Sequence, residues 1–547
     1  VARDKVEPPL AANDPRQFQA CDGYGAPNEN GDGISRIAMG WLGLFVPAAG
    51  AGNTTASTPA FSSWGIAACN GALANPRLAP TYHLRRASLL RARAIHRLSA
   101  QDNAGALGDL DAADDSAAKA AEPLYARSMG LGSQLLRAYL AMQAGHRDEV
   151  LALTAQTRNA RPYVYRVQQV SDFLALSATH DADAFYAALD RQATLNPESR
   201  RALFQLAIER RDWAKVIATR QQLDFTPPAA QQGGFQIQHF HTLLVQLFSD
   251  ELEADQAMVF ALAATGKDDA AKALLAQIDT RIEALGSELP KRADGSSRPR
   301  AERDAHAILG GQQVRFRAQS AVTRRLLDLL VPARAGDNDA FNALLKAGQP
   351  TPPLDGRSIF LMETLRDATH GPKAPLSNTI NAMRARADIA LDKFRLPMDR
   401  LYQAMPAPET RERLPKFREA KGLFGDYDGN GFVVTQDGPV TKVSFGGLKA
   451  AEATVEELAL LKAAELTLAA GHDRFAMLDK RITARTLTHT SIYGSWSMPE
   501  GYVADIRILP FDANAVPKGY EAYAERPVIA RDVIAALAPI YHPSPAP

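Results

Sequence analysis

The feature that most limits how this chain can fold is a break that keeps returning between helical runs. "QDNAGALGDL" from Gln101, "GHRDEVLALT" from Gly145, "RDWAKVIATR" from Arg211, "GKDDAAKALL" from Gly266 and "GDNDAFNALL" from Gly336 share one layout: a small or polar turn, a charged or aromatic position, then Ala or Val opening a new apolar face. An apolar run ends just before each of the last four, in "RAYLAMQA", "LFQLAIER", "MVFALAAT" and "LLVPARA". Helices of this kind carry one apolar stripe each, and an isolated pair cannot bury both, so neighbouring pairs must stack. The clearest unit is 75–115, where Leu84, Ala87, Leu90, Ala94, Ile95 and Leu98 recur at threes and fours before a polar break at Ser99 to Asn103.

A chain of 547 residues exceeds what one core usually serves, which fits several domains or one elongated array. The formal net charge of +1 supplies no general attraction to nucleic acid or anionic lipid, so neither is expected as a partner. No stretch of 18 or more apolar residues occurs, and no membrane-spanning helix is predicted.

Texture divides the chain further. Residues 1–60 are rich in turn formers and form an irregular arm with one apolar patch, expected to pack through Trp41, Leu42, Leu44 and Phe45. Helical repeats are expected over 61–285, a basic linker over 286–305 ("GSELPKRADGSSRPRAERDA"), and further helical hairpins over 306–420. Beyond 421, "GFVVTQ" and "VTKVSFGG" predict two strands around the turn "DGP". "ATVEELALLKAAELTLAAG" predicts a buried helix, "DRFAMLD" and "YVADIRILPF" further strands, and "ARDVIAALAP" a closing helix. Residues 421–547 thus read as a small α+β domain.

The two cysteines, Cys21 and Cys69, flank the Gly/Ala/Thr-rich part of the arm. They suit a single disulfide closing a long loop, with two buried free thiols as the alternative. The chain starts "VARDKVEPPL", without Met, which reads as the processed end left by a signal peptide or as a truncation. A disulfide and a processed start together favour an oxidising compartment. Arg far outnumbers Lys and Ala is abundant, a bacterial habit that points to the periplasm or the cell exterior.

The helix breaks over 61–350 resemble the tetratricopeptide repeat, in which small residues at the end of one helix and the start of the next allow close packing. The breaks here are unequally spaced and further apart than that repeat, so the resemblance implies a degenerate array. In the C-terminal domain, "VSFGG" followed by "LLKAAELTLAAGHDRFAMLD" is similar to small bacterial envelope lipoproteins of unknown function. That likeness implies an envelope location and a Ser/Thr-rich loop at "TARTLTHTSIYGSWSMPEG"; the acylated Cys of those proteins has no counterpart here.

Few residues carry recognisable chemistry. In "GDYDGNGFVVTQD", Asp426, Asp428 and Asn430 take positions 1, 3 and 5 of an EF-hand-type loop, Gly431 the sharp turn, the Phe432 carbonyl position 7 and Asp437 position 12. Hard oxygen donors at that alternation suit Ca²⁺. The competing reading is a tight turn into a strand, because Asp stands where a bidentate Glu is usual and no helix follows. "NENGDG" (28–33) is a weaker acidic turn. His239 and His241 are two apart in a helical pattern and diverge, while His83, His96 and His146 stand alone as surface or packing residues.

The expectation is a mainly α protein, an irregular TPR-like helical-hairpin solenoid followed by a small C-terminal α+β domain. Its expected role is that of a non-enzymatic periplasmic or cell-surface scaffold, binding protein partners in a bacterial envelope complex at the periphery of the outer membrane. The alternative is a calcium-stabilised envelope enzyme or carbohydrate-binding protein with a site near Tyr493, Trp496 and Tyr502.

Overall fold

The computed structural model describes residues 11, 13–23, 25–27, 63–226, 240–337, 414–420, 430–448 and 450–542 except 492 and 493, with scattered positions between 339 and 411. At 63, 231–232, 235–236, 448, 485–491 and 494–500 it describes backbone alone. The apolar patch at Trp41 to Phe45, the acidic turn at 28–33 and the helical pattern at 377–405 lie outside these residues.

Among the described residues fourteen helices precede the main sheet. They are α1 (Arg16–Asp22), α2 (Ser63–Ala74), α3 (His83–Ser99), α4 (Asn103–Ala118), α5 (Met129–Gln143), α6 (Arg147–Ala160), α7 (Tyr165–Thr179), α8 (Ala182–Leu195), α9 (Pro197–Glu209), α10 (Trp213–Arg220), α11 (Phe240–Ala264), α12 (Asp268–Ala284), α13 (Arg300–Gly311) and α14 (Gln313–Arg334). A two-residue hairpin, β1 (Gln231–Gln232) with β2 (Phe235–Gln236), precedes α11. Sequence neighbours pack on one another: α3 on α4, α5 on α6, α6 on α7, α7 on α8, α10 on α11 and α11 on α12.

All five breaks singled out in the sequence are the same backbone event. Gln101, Gly145, Arg211, Gly266 and Gly336 all take left-handed φ values, between 59° and 89°. In each, that residue's N–H donates to the carbonyl three back and the next N–H to the carbonyl five back, as in Gln101 to Leu98 and Asp102 to Arg97. This double bond closes the orphan carbonyls of the helix end and turns the chain within two residues. At Asp102 and Asp212 the residue after the turn already caps the next helix, its carboxylate accepting from the N–H of Gly105 and Lys215.

Contacts gather residues 1–197 and 396–547 into one compact unit and 198–395 into another. In the second unit, Leu252, Phe260, Leu275, Ile278, Phe316 and Leu330 centre the core, with Trp213 edge-on to Phe260 at 5.4 Å between centroids.

In the first unit, Ile95, Leu110, Leu131, Leu135, Val150, Val167 and Leu174 form the core of the hairpins α3–α7. Its C-terminal part is a five-stranded antiparallel sheet of order β3-β4-β6-β5-β7. The strands are β3 (Gly431–Asp437), β4 (Val440–Leu448), β5 (Arg474–Ser491), β6 (Gly494–Phe511) and β7 (Val528–Ile529). Helices α15 (Glu452–Ala469) and α16 (Ala530–Tyr541) complete it. α15 is buried on most sides, as its apolar sequence predicts, and meets Val443, Phe445, Phe475, Met477 and Ile506 of the sheet.

The predicted Ser/Thr-rich loop is corrected. Residues 483–491 and 494–501 are strand, paired from Thr483 with Val503 to Ser491 with Gly494. Threonine is β-branched, and a Thr at every second place suits a strand as well as a loop. β4 pairs with β6 over 501–508 and β7 with β5 at Arg474 and Phe475, so residues 485–491 and 494–500 continue as a two-stranded ribbon.

Candidate functional site

Of the proposed calcium ligands, Asp426 and Asp428 lie outside the described residues, and Asn430 stands just before β3. Phe432 and Asp437 are members of β3. The Phe432 carbonyl accepts the Ala420 N–H at 2.8 Å, its N–H donates to Arg418, and Asp437 pairs with Val440 at the hairpin turn. A strand rises about 3.3 Å per residue, which sets Asp437 roughly 20 Å from Gly431. Ligands of one calcium ion lie within about 5 Å of each other. The expectation that Phe432 and Asp437 close one loop around an ion is therefore corrected: the β-branched "VVT" extends the chain where a loop would curl. Among the described residues no group of three or more His, Cys, Asp or Glu side chains is placed to hold a metal.

Tyr493 lies outside the described residues, Trp496 pairs with His489 in the ribbon, and Tyr502 pairs with Ala484 and Gly447 within the sheet. Six residues of one strand part Trp496 from Tyr502, roughly 20 Å.

Cys21 and Cys69 form the expected disulfide, joining α1 to α2. Around it Phe18, Leu78, Leu89 and Ala92 are buried. The Asp22 carboxylate, equally buried, accepts from both Arg85 Nη atoms and from Ser88 Oγ. His96 sits beneath, its Nε2 donating to the Cys21 carbonyl at 2.9 Å, and a side chain at Gly65 would collide with its ring. Burial holds the His96 pKa below its usual value, against the opposing pull of the Cys21 carbonyl and Asp22. The structure thus makes His96 a packing residue, while His146 is exposed beside Glu149.

The largest concentration of buried charge lies where the α+β part meets α5–α8. The loop before α5 brings Arg127, whose Nη2 donates to both oxygens of Glu457 at 2.8 and 2.9 Å. Arg161, after α6, donates to Glu409 at 2.5 Å and lies 3.8 Å from Glu457. Glu409 also accepts from Thr454 Oγ1 at 2.6 Å, and Glu457 from the Tyr541 hydroxyl at 2.5 Å. Beside them Lys480 pairs with Glu456 at 2.5 Å, and Glu456 accepts the Tyr165 N–H. Arg166 pairs with Glu452 at the rim, and Arg526 with Asp190. Ala453, on the same turn of α15, inserts into the core of α3–α7.

In the centre three cations face three carboxylates: Arg127, Arg161 and Lys480 against Glu409, Glu456 and Glu457. Arg161 is 1% exposed and Glu457 not at all. Burial alone would lower the Arg161 pKa, but Glu409 and Glu457 outweigh it and raise it. Burial, then Glu457, raises the Tyr541 hydroxyl well above its usual value, so it stays a donor. Burial also raises Glu452, against the pull of Arg166. Arg127 Nε and Arg161 Nε and Nη1 have no partner among the described residues, and each such orphan costs about 1–3 kcal/mol.

Chemically this arrangement is suited to holding two parts together. Acid–base work needs a titrating group that a substrate can reach, and Glu457 is sealed. The adjoining crevice, lined by Tyr163, Leu195, Leu460, Met477, Ile506 and the Glu456–Lys480 pair, has a cavity volume of only about 10 Å³, far less than the 300 Å³ or more typical of ligand pockets. Sequence reasoning missed these residues, which are scattered from 127 to 541. The one local signal is the Glu456–Glu457 pair, which stands directly before the apolar run Leu458–Leu461 of its helix.

No protein-family description, curated protein or solved structure matches the chain.

Proposed function

We propose that this protein is a non-enzymatic scaffold of the bacterial envelope, periplasmic or on the cell surface, that binds other proteins through a degenerate tetratricopeptide-like helical array. The observation that carries this reading is the recurrence of one turn chemistry at five helix ends, Gln101, Gly145, Arg211, Gly266 and Gly336. A chain built from repeated helix–turn–helix corners presents a long, graded surface whose residues are free to vary for recognition. The Cys21–Cys69 disulfide supports an oxidising compartment. No helix among the described residues is long and apolar enough to cross a membrane.

The test is recovery of the full-length chain from envelope fractions of its native cells after brief reversible crosslinking, with companions quantified by mass spectrometry. Near-stoichiometric protein companions that are lost when exposed positions on α4 or α12 are changed to the opposite charge are expected. A chain recovered alone, or found in the reducing cytosol, contradicts the reading.

A further inference from the structure

Exposed apolar side chains and unanswered cations coincide where α13 meets α14, at the single residue Gln312. Three large apolar side chains are exposed among the described residues, and two of them, Ile308 at 41% and Val314 at 76%, stand here. Ala305, Leu309, Phe316, Ser320 and Thr323 are buried, which leaves Ala307, Ile308, Gly311, Val314, Ala318 and Ala321 open to solvent on the other side. No carboxylate occurs between Asp304 and Asp328, and residues 286–325 carry nine Lys and Arg against four Asp and Glu in a chain of net charge +1. Arg317 and Arg324 are answered by Glu283 and Asp279 of α12, Arg300 by Asp304, and Arg292 and Arg298 by Glu302. Lys291, Arg303 and Arg315 are exposed and have no ion-pair partner among the described residues. A helix that only faces water usually mixes both signs, because opposite charges three and four apart support it. The basic loop before α13 is fixed to this junction: His306 Nε2 donates to the Ser287 carbonyl at 2.9 Å, Arg298 Nε to Pro290 at 3.1 Å and Gln313 Nε2 to Ile282 at 2.9 Å.

We propose that the open face of α13–α14 is the surface on which this scaffold takes a partner protein, and that the partner presents an acidic amphipathic helix. The proposal rests on the scaffold reading and adds to it a surface and a partner class. Ile308 and Val314 supply apolar contact, Ala307 and Gly311 let a second helix come close, and Arg303 and Arg315 meet its carboxylates. Two segments of this chain are poor complements. α4 is acidic, but its Asp109 is engaged by Arg93 and its Asp111 and Asp114 by Arg137. The sequence 377–405 is itself basic, with five Lys and Arg against three Asp. A membrane surface takes up Trp, Phe and Leu, whereas this face exposes alanines, one Ile and one Val.

Fluorescence anisotropy with the full-length chain tests it. The probes are a labelled synthetic helix of about three heptads, Leu on one face and Glu on the other, and its twin with Lys in place of Glu. Binding of the Leu/Glu helix in the micromolar range, weakening as salt rises, and no binding of the Leu/Lys helix are expected. Val314→Glu with Arg315→Glu changes two exposed positions, leaves the core intact and is expected to weaken that binding about tenfold or more. No binding, equal binding of both helices, or an unchanged affinity in the variant overturns the proposal. So does binding to phosphatidylglycerol vesicles, or self-association in the ultracentrifuge, that the variant abolishes: the face would then belong to a lipid surface or to a second copy. Envelope companions that the variant retains overturn this surface and leave the scaffold reading standing, whereas a wild-type chain without companions removes both.

Discussion

Inside the α+β part, Phe445, Phe475, Leu461 and Ile506 are buried against one another and ask only for volume. At its joint with α5–α8, Arg161, Glu409 and Glu457 are as deeply buried, and each requires a particular partner at a particular distance. An apolar core gains from area and tolerates exchanges of similar size. A buried ion network gains little net free energy, because desolvation offsets attraction, but it strongly disfavours any arrangement that leaves a charge unmatched. The contrast suggests a division of labour: the cores hold each part folded, and the network specifies how the sheet and the hairpins meet.

The largest effect that would break this contrast is at Glu457. Glu457→Ala leaves Arg127 and Arg161 facing a void, and urea unfolding is expected to show a loss of about 3–5 kcal/mol. Replacing the four central groups together (Arg127→Met, Arg161→Met, Glu409→Leu and Glu457→Leu) is expected to be close to neutral or stabilising in the same assay. A loss for the fourfold change as large as for Glu457→Ala would show that the joint depends on its charges for stability and not for geometry.

The N-terminal clasp adds a covalent version of the same device. Cys69→Ser removes the tie between α1 and α2 across 48 residues of sequence, an expected loss of about 3 kcal/mol by thermal unfolding. The clasp also gives a pH dependence of known sign. His96 is held neutral below its ordinary pKa by burial, so the unfolded chain takes up its proton first as pH falls. The stability His96 contributes is full above about pH 6.5 and is lost as pH drops from there through the lowered folded value. His96→Gln keeps a donor for the Cys21 carbonyl and is expected to flatten the change in Tm between about pH 7 and 5.5; an unchanged slope would assign the dependence elsewhere.

The smallest effect belongs to the helix corners. Gln101 holds a left-handed φ of 63° where three of the five corners use Gly, so Gln101→Gly is expected to stabilise the chain by about 1 kcal/mol. Destabilisation would show that the Gln101 side chain contributes more than its backbone costs.

The corners were legible because turn chemistry is local: a Gly or polar residue, a capping position and a new apolar stripe lie within ten residues. So were β3, β4, α15 and α16, whose period shows in short windows. The joint was not, since Arg127, Arg161, Glu409 and Tyr541 look like ordinary surface residues until the fold brings them to Glu457. The ribbon was misread because Thr486, Thr488 and Thr490 suit loop and strand alike. The calcium pattern matched by residue type but ignored the strand former "VVT" between its sixth and twelfth positions.

The central claim, that the α+β part and the helical hairpins are locked together by this network, is tested most directly by a double-mutant cycle between Arg127 and Glu457. Arg127→Ala, Glu457→Ala and the double variant would be compared with the wild-type chain by denaturant unfolding. A coupling of about 1.5 kcal/mol or more is expected, as for close charge pairs across an interface. Effects that add to within about 0.3–0.5 kcal/mol, as for independent sites, would contradict it.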